Sequence, residues 1–416
     1  MFNKDNWQEI FATIKKNKLR TFLTCLGVGW GIFMLVIMLG AGNGLRNGIM
    51  QDFNGVSTNS FFIWAQRTTK AYAGMKPGRT FNFNNADIVA LSKINELDVV
   101  SPQNQLGGHG EGSTVYRGLK TGSFNVTGVY PNINEIERVH ITEGRFVNEN
   151  DIREKRKVCI IGSRVKEVLF KPEETVIGNY ISINGVYFKV IGTSKPAGSG
   201  DQGKEQTEKI QVPFSTFQNA FNYGDVVGWF AISVKKDIPA SVAEESVMAL
   251  LKERHKIAPI DKQAIGHWNM EVMFKKINGL FIGINSLVWF VGIGTLIAGV
   301  IGICNIMLIV VKERTKEIGV KRALGATPII IIGQIILESV FLTIIAGYFG
   351  LLLGILLLEG INAMIGPNVP MFKNPTVDLS VAILSLTVLV ISGALAGLIP
   401  ATKAASVSPV EALRAE

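Results

Sequence analysis

The sequence predicts a membrane protein with four transmembrane α-helices and a large, two-lobed, mixed α/β domain outside the membrane. Three observations predict it. Residues 21–45, 277–311 and 379–402 contain no charged side chain, and 323–358 contains only Glu338. Each run reaches the roughly 20 apolar residues that span a bilayer. Charged residues make up only 18% of the 416, against about 25% in soluble domains. The remaining charge gathers between the runs, where 46–276 holds 29 basic and 24 acidic residues.

This composition excludes several classes. A mean hydropathy of +0.29 is too high for a disordered chain. Three cysteines, two of them (Cys25 and Cys304) inside apolar runs, exclude a disulfide-built scaffold and leave Cys159 without an obvious mate. The net charge of 46–276, +5 from 29 basic and 24 acidic residues, is spread along that stretch and follows no nucleic-acid motif, so a nucleic-acid partner is not expected.

Taken in order, residues 1–20 come first. Trp7, Ile10, Phe11 and Ile14 recur at helical spacing, Asn6 and Glu9 fit a capping box, and Lys15, Lys16 and Lys18 follow. This reads as an interfacial helix on membrane lipids at the cytoplasmic leaflet. The first span, 21–45, has a 25-residue uncharged run, longer than the apolar region of about 7–15 residues in a signal peptide. Five basic residues precede it, and five more (Lys312, Arg314, Lys316, Lys321, Arg322) crowd the loop after the second span, whereas Lys373 alone lies between the third and fourth. The positive-inside rule therefore puts both termini and the 312–327 segment in the cytoplasm, and 46–276 outside.

Within 46–276, strands are expected at 60–66, 157–161 and 229–235, and helices at 85–96, opened by Asn85, and at 240–255. Residues 180–191 read as a hairpin turning at Asn184-Gly185, the preferred type I′ pair. The segment 194–209 is rich in glycine and polar residues and reads as a loop, as does 107–112.

The second span, 277–311, would reach about 52 Å as one helix against a hydrocarbon core of ~30 Å. It either protrudes as a stalk or breaks near Gly279 or Gly283. The third span is 328–358, a short outer loop is 359–378, the fourth span is 379–402 and the tail is 403–416. The i,i+4 pairs Gly27/Gly31, Gly350/Gly354 and Gly393/Gly397 are candidates for close helix packing.

The 312–327 segment is the most informative. Glu313/Lys316 and Glu317/Lys321 have helical spacing, Gly325 suits a helix C-terminus, and Thr327-Pro328 suits the start of the next helix. A short charged helix at the membrane face is expected, with apolar contacts from Ile318, Val320 and Leu324. Ser408 to Glu411 fit a second capping box in the tail. Glu338, inside the third span, is a functional candidate by position, and Gln334 one turn earlier is its expected polar neighbour. No Gly-x4-Gly-Lys-Ser/Thr, His-Glu-x-x-His or Gly-x-Ser-x-Gly motif occurs, and the four histidines are scattered. The chain is thus not expected to be an enzyme or to hold a metal.

Four stretches together resemble the permease part of MacB-type ABC transporters, in the wider MacB/LolC/FtsX-like family. They are NKLRTFLTCLG at 17–27, TEGRF at 142–146 through Ile191-Gly192, NIMLIVVKERTKEIGVKRALGAT at 305–327, and PATKAASVSPVEALR at 400–414. The resemblance implies a dimer, with a second copy or a paralogue, in the inner membrane. It implies an ABC ATPase partner holding ATP and Mg²⁺, as a separate subunit because the sequence opens at the interfacial helix. A periplasmic adaptor is a further implied partner. The coupling residues would be Glu313, Arg314, Thr315, Glu317, Ile318, Gly319, Arg322 and Gly325. ATP-driven closure would pass through the stalks to the outer domains, called mechanotransmission, in an exporter of peptide, antibiotic or lipoprotein. An FtsX-like regulator acting on an extracytoplasmic enzyme without transport is the alternative.

Overall fold

Uncharged runs fold as helices in a bilayer because every backbone N–H and C=O must be satisfied within the segment. In a computed structural model describing residues 18–53, 55–107, 112–197, 201–365, 372–376 and 379–406, all four runs are helical. In chain order the elements open with α1 (Lys18–Phe53), β1 (Ser60–Ala65), β2 (Phe83–Asn84), α2 (Asn85–Leu91), β3 (Leu97–Gln105), β4 (Ser113–Arg117) and β5 (Lys120–Val129). The middle holds α3 (Ile133–Ile136), β6 (Val139–Gly144), α4 (Glu149–Arg153), β7 (Val158–Gly162), α5 (Ser163–Leu169), β8 (Tyr180–Ile183), β9 (Val186–Pro196), α6 (Asp201–Thr207) and β10 (Lys209–Pro213). Then follow α7 (Phe214–Ala220), β11 (Val226–Val227), β12 (Trp229–Val234), α8 (Ala240–Arg254) and β13 (Ile265–Asn269). The last are α9 (Met270–Glu313), α10 (Thr315–Ala323), α11 (Pro328–Ile365) and α12 (Leu379–Ala405). The interfacial helix expected at 1–20 and the tail capping box lie almost wholly outside the described residues, as does most of 107–112.

The chain divides into a unit of residues 49–279 and a unit holding the remaining helices, and the division falls inside α1 and α9. In the first unit, an 11-stranded sheet runs β10-β7-β9-β8-β4-β5-β3-β12-β1-β13, with β6 beside β9. Strand β10 also pairs with β5 in parallel, so β5, β4, β8, β9, β7 and β10 close into a barrel. Closure removes free edges. The barrel is one lobe, with a core built on Phe124, Phe188 and Phe217. The other lobe lays α8 and α2 on β12, β1 and β13 around Phe61, Phe83 and Phe230. Strand β3 belongs to both, pairing with β12 through Leu97 to Gln103 and with β5 at Asn104 and Gln105.

The β8–β9 hairpin turns at Asn184 (φ 46°) and Gly185 (φ 84°), the left-handed pair of a type I′ turn. Two expectations change. The first helix is capped by Asn84, one residue earlier than Asn85. Asn84 Oδ1 accepts from the Asp87 N–H at 3.2 Å, and Asp87 Oδ2 accepts from the Asn84 N–H at 2.9 Å. That helix ends at Leu91, where the Ser92 N–H closes the last turn on the Ile88 carbonyl. The segment 194–209 is no plain loop: β9 continues to Pro196 and Asp201–Thr207 is a helix. Its Thr207 carbonyl lies so close to Gly162 that a Cβ there would collide with it. A composition-based reading sees the glycines and misses that contact.

Buried carboxylates brace this unit. Asp87 is fully buried and accepts from Arg254 Nε at 2.7 Å and pairs with His255 Nε2 at 2.8 Å. Burial acts to raise its pKa, but the bonds from His255, Arg254 and the Asn84 N–H outweigh it and hold the carboxyl below its ordinary value. Asp151, against Arg145 at 2.5 Å, and Asp261, on the Thr69 N–H at 2.6 Å, are held low in the same way against burial. All three cysteines are free, and burial in the barrel core pushes the Cys159 thiol up.

In the helical unit, α1 and α11 approach through Gly29 and Gly350, where a Cβ on Gly350 would collide with the Gly29 carbonyl. Gly354 lies against Val36 and Gly31 against Thr295. Helices α11 and α12 meet where Gly393 faces Thr343 and Gly397 faces Ser339, whose hydroxyl donates to the Gly393 carbonyl at 2.9 Å. Gly27 has open space around it. α9 is one unbroken helix of 44 residues, about 66 Å long, with no break at Gly279 or Gly283. α11 continues past 358 to Ile365, so the outer loop is shorter than expected. Its described part is pinned to α1: the Lys373 N–H donates to the Gly44 carbonyl at 3.0 Å, and Asn47 Nδ2 to the Asn374 carbonyl at 3.2 Å.

Candidate functional site

The charged segment after α9 folds as the short helix α10. Arg314 leaves helical geometry (φ −97°, ψ 11°) and kinks the chain between α9 and α10. Backbone bonding nevertheless continues through it, from the Arg314 N–H to the Val310 carbonyl and from the Ile318 N–H to the Arg314 carbonyl, both at 3.0 Å. At the far end Gly325 takes φ 97°. The Ala326 N–H donates to the Lys321 carbonyl at 3.0 Å and the Gly325 N–H to the Arg322 carbonyl at 3.1 Å, the paired bonds of a Schellman motif. The chain then turns into α11 at Pro328.

α10 has two faces. Ile318 and Gly319 are buried, with Ile318 in an apolar cluster that includes Met307, Val311, Ile331 and Ala401. Glu313, Lys316, Glu317, Val320 and Leu324 face outward, and Leu324 is 83% exposed. Arg314, Thr315 and Arg322 are half-buried and hold the helix down. Thr315 Oγ1 donates to the Lys312 carbonyl at 2.8 Å, and Arg322 Nη1 donates to the Ala405 carbonyl, at the end of α12, at 2.8 Å. Of the eight residues singled out from sequence, Glu313 and Glu317 thus present charge outward, while the others shape or anchor the helix.

Glu338 of α11 is nearly buried and meets Arg314 Nη1 at 3.4 Å, and Arg314 Nε also reaches Glu317 at 3.4 Å. Gln334 receives Lys321 Nζ at 3.4 Å. The expected Gln334–Glu338 neighbourhood is there, since both line one cavity with Arg314 and Lys321. Each also meets a basic side chain from the charged segment, Gln334 that of Lys321 and Glu338 that of Arg314. At about 30 Å³ that cavity has room for roughly one water. Cationic heads on α10 therefore reach the one carboxylate inside the third span, fixing α10 to α11 by charge as well as by packing.

A second cluster, at the head of α9, was not apparent from spacing. Asn269 caps that helix, with Oδ1 accepting from the Val272 N–H at 3.1 Å. Its Nδ2 donates to Glu244 Oε2 of α8 at 2.5 Å, and His267 Nδ1 meets the other oxygen of Glu244. Glu271, in the first turn of α9, accepts from the Ser241 N–H at 3.1 Å and pairs with Lys275. The long helix is therefore clasped to α8 at its first turn. The N-cap preference of asparagine was the available signal for Asn269; the Glu244 partnership joins residues 25 apart and leaves no local trace. Among the described residues no group of three or more His, Cys, Asp or Glu is arranged to hold a metal ion.

Comparison with known proteins adds to this geometry. Residues 21–252 match the MacB-like periplasmic core domain, and 289–409 match the FtsX-like permease C-terminal domain. The macrolide export ATP-binding/permease protein MacB of Bdellovibrio bacteriovorus is 30% identical over 412 residues, 98% of this chain and 61% of that protein. The protein of the same description from Aggregatibacter actinomycetemcomitans is 29% identical over 85% of this chain and 53% of its own length. The chain thus spans between half and two thirds of those relatives. Among solved structures, the periplasmic region of MacB from Actinobacillus actinomycetemcomitans aligns with TM-score 0.44 and 22% identity, covering 55% of this chain and 97% of that one. The extracellular domain of the noncanonic ABC-type transporter YknZ from Gram-positive bacteria aligns with TM-score 0.41 and 16% identity, over 51% of this chain and 100% of that one.

Proposed function

This chain belongs to the MacB-like family of FtsX-like ABC permeases, and from that premise we propose that it is the membrane subunit of an exporter or mechanotransmission complex powered by an ABC ATPase. The ATPase supplies ATP hydrolysis with Mg²⁺; this chain supplies the coupling. The observation that carries the reading is α10: a short helix with a charged and apolar outer face, locked beneath by Ile318, the Arg314–Glu338 pair and the Arg322–Ala405 bond. A push on such a helix moves what it is fixed to, because packed helices shift as units. α10 follows directly on α9, a single helix that begins at the Asn269–Glu244 clasp.

In this reading α10 and both termini lie in the cytoplasm, 49–279 lies outside the cytoplasmic membrane, and two permease copies, or a copy and a paralogue, work together. The named activity of the relatives, macrolide export, supports an amphipathic cargo expelled at the outer face, and a periplasmic adaptor would receive it.

The test is co-purification of an ATPase with the tagged chain from native membranes, comparing wild type with a Val320→Asp/Leu324→Asp variant. Both side chains are exposed, so the variant should fold. Arg322 is left intact because its bond to Ala405 is structural. Recovery of an ATPase with wild type and its loss with the variant is the expected result. No ATPase with wild type, or equal recovery with both, refutes the coupling role of α10.

A further inference from the structure

The barrel lobe of the outer unit carries a face of unusual chemistry. Strands β4, β8 and β9 alternate strictly there. Val115, Ile181, Ile183 and Phe188 point into the barrel core and are fully buried, so the residues between them point outward. Tyr116 stands opposite Ser182 across β4 and β8, and Ser182 stands opposite Tyr187 across β8 and β9. These three share one row, extended by Thr121 of β5 opposite Tyr116. Tyr180, two residues before Ser182, lies on the same face and stands opposite Lys189.

Three phenol rings thus surround one serine hydroxyl. Tyr116, Tyr180 and Tyr187 are 49%, 55% and 66% exposed. Among the described residues their rings touch no other ring and their hydroxyls make no hydrogen bond. Two strand spacings put Tyr116 and Tyr187 about 10 Å apart, and Tyr180 lies one diagonal step, ~7–8 Å, from the row. Rings held apart on a rigid sheet, with their faces in water, form a contact surface without a contact.

The surrounding groups narrow the occupant. The other outward side chains next to Ser182 are hydroxyl or amide groups and Lys189, and none is aliphatic. Strands β4, β5, β8 and β9 contain no Asp or Glu at all. Lys189 is exposed and has no ion-pair partner among the described residues. A protein partner would find no apolar pocket here to fill with an anchor residue. A chain of sugar rings fits instead. Its C–H faces lie on the electron-rich faces of the rings, and the hydroxyls of Ser182 and Thr121 can each donate to and accept from sugar hydroxyls. The ring spacing is about the length of a disaccharide in an extended β-linked chain.

We infer that this face of the barrel binds an extended, β-linked glycan that carries carboxylate groups. Tyr116 and Tyr187 stack on alternate sugars, Ser182 hydrogen-bonds the sugar between them, Tyr180 covers its flank, and Lys189 pairs with the acidic group. The absence of carboxylates on the four strands removes repulsion from an anionic chain. The inference stands apart from the coupling role of α10.

The test uses the full chain in a detergent without a sugar headgroup and two fluorescent, end-labelled hexasaccharides: hyaluronan, a β-linked chain with a carboxylate on alternate sugars, and neutral chitohexaose. Anisotropy should show saturable binding of the hyaluronan probe, and binding of chitohexaose about two- to fivefold weaker, the reach of an exposed charge pair. Tyr116→Ala/Tyr187→Ala removes both stacking faces and should weaken hyaluronan binding at least about tenfold. Tyr116→Phe/Tyr187→Phe keeps the rings and should bind within about threefold of wild type. Lys189→Gln should bring the two probes to equal affinity. The substituted side chains are all exposed, so each variant should melt as wild type does. Absence of saturable hyaluronan binding overturns the inference, as does wild-type affinity in the double alanine variant. Competition by a hexaglutamate peptide as strong as by unlabelled hyaluronan also overturns it, because the face would then read charge and not sugar. Equal binding of both probes by wild type overturns the role given to Lys189.

Discussion

Replacing Glu244 by alanine tests how firmly the outer unit grips the head of α9. Glu244 is 8% exposed and accepts from Asn269 Nδ2 at 2.5 Å, while His267 meets its other oxygen. Truncation leaves the buried Asn269 amide short of an acceptor, which costs about 1–3 kcal/mol. The His267 contact adds less than about 1 kcal/mol, because that ring is 54% exposed and solvent screens the pair. Alanine returns a few tenths of a kcal/mol, about 0.4, in helix propensity. The sum is about 0.6–3.6 kcal/mol, centred near 2, or a fall of roughly 1–14 °C in melting temperature for a unit of this size. Tryptophan fluorescence of the full chain in detergent reads the melt, since Trp268 and Trp64 lie on β13 and β1. Hydrogen exchange reads the cap: the first-turn amides of α9, Val272 included, should exchange faster. An unchanged melt together with unchanged exchange at 270–275 would refute the clasp.

Two further outcomes follow from the packing and the charges. Because Asp87, Asp151 and Asp261 are all held below their ordinary pKa, each contributes stability that is complete above the unfolded value of about 3.9 and lost as pH falls through the lower folded value. The outer unit should therefore lose stability below about pH 4, and Asp87→Asn should lower stability at neutral pH while flattening that acid limb in pH-dependent melts. Gly350→Val should force α1 and α11 apart at Gly29, with an overpacking cost of about 1–3 kcal/mol; a lowered melting temperature or yield in detergent is expected, while Gly27→Val, in open space, should leave both unchanged.

Much of this protein is decided by short stretches of sequence. The cost of burying charge in lipid is large and local, so the uncharged runs alone place four helices, and a 35-residue run forces a helix longer than the bilayer. Turn chemistry is equally local: Asn184-Gly185 and Gly325 take left-handed backbone because few other residues do so without strain. The alternation of strands and helices in 46–276 was legible for the same reason, though the cap moved from Asn85 to Asn84, since two asparagines in a row offer the same local signal and only the bond to Asp87 separates them.

What only the tertiary structure decided joins residues far apart. Closure of the barrel pairs 209–213 with 125–129, strands more than 80 residues apart that no local pattern joins. Glu338 was visible as a carboxylate inside a span, yet its partner Arg314 lies 24 residues away across a turn, and Arg322 reaches the end of α12, 83 residues on. Glu244 and Asn269 are as remote. Residues so separated meet only when packing of the intervening elements fixes their distance, and no periodicity in the sequence encodes that distance. The sequence by itself settled which segments are apolar helices and which short segment between them gathers charge; the fold settled which of those charges meet and which strands close the barrel.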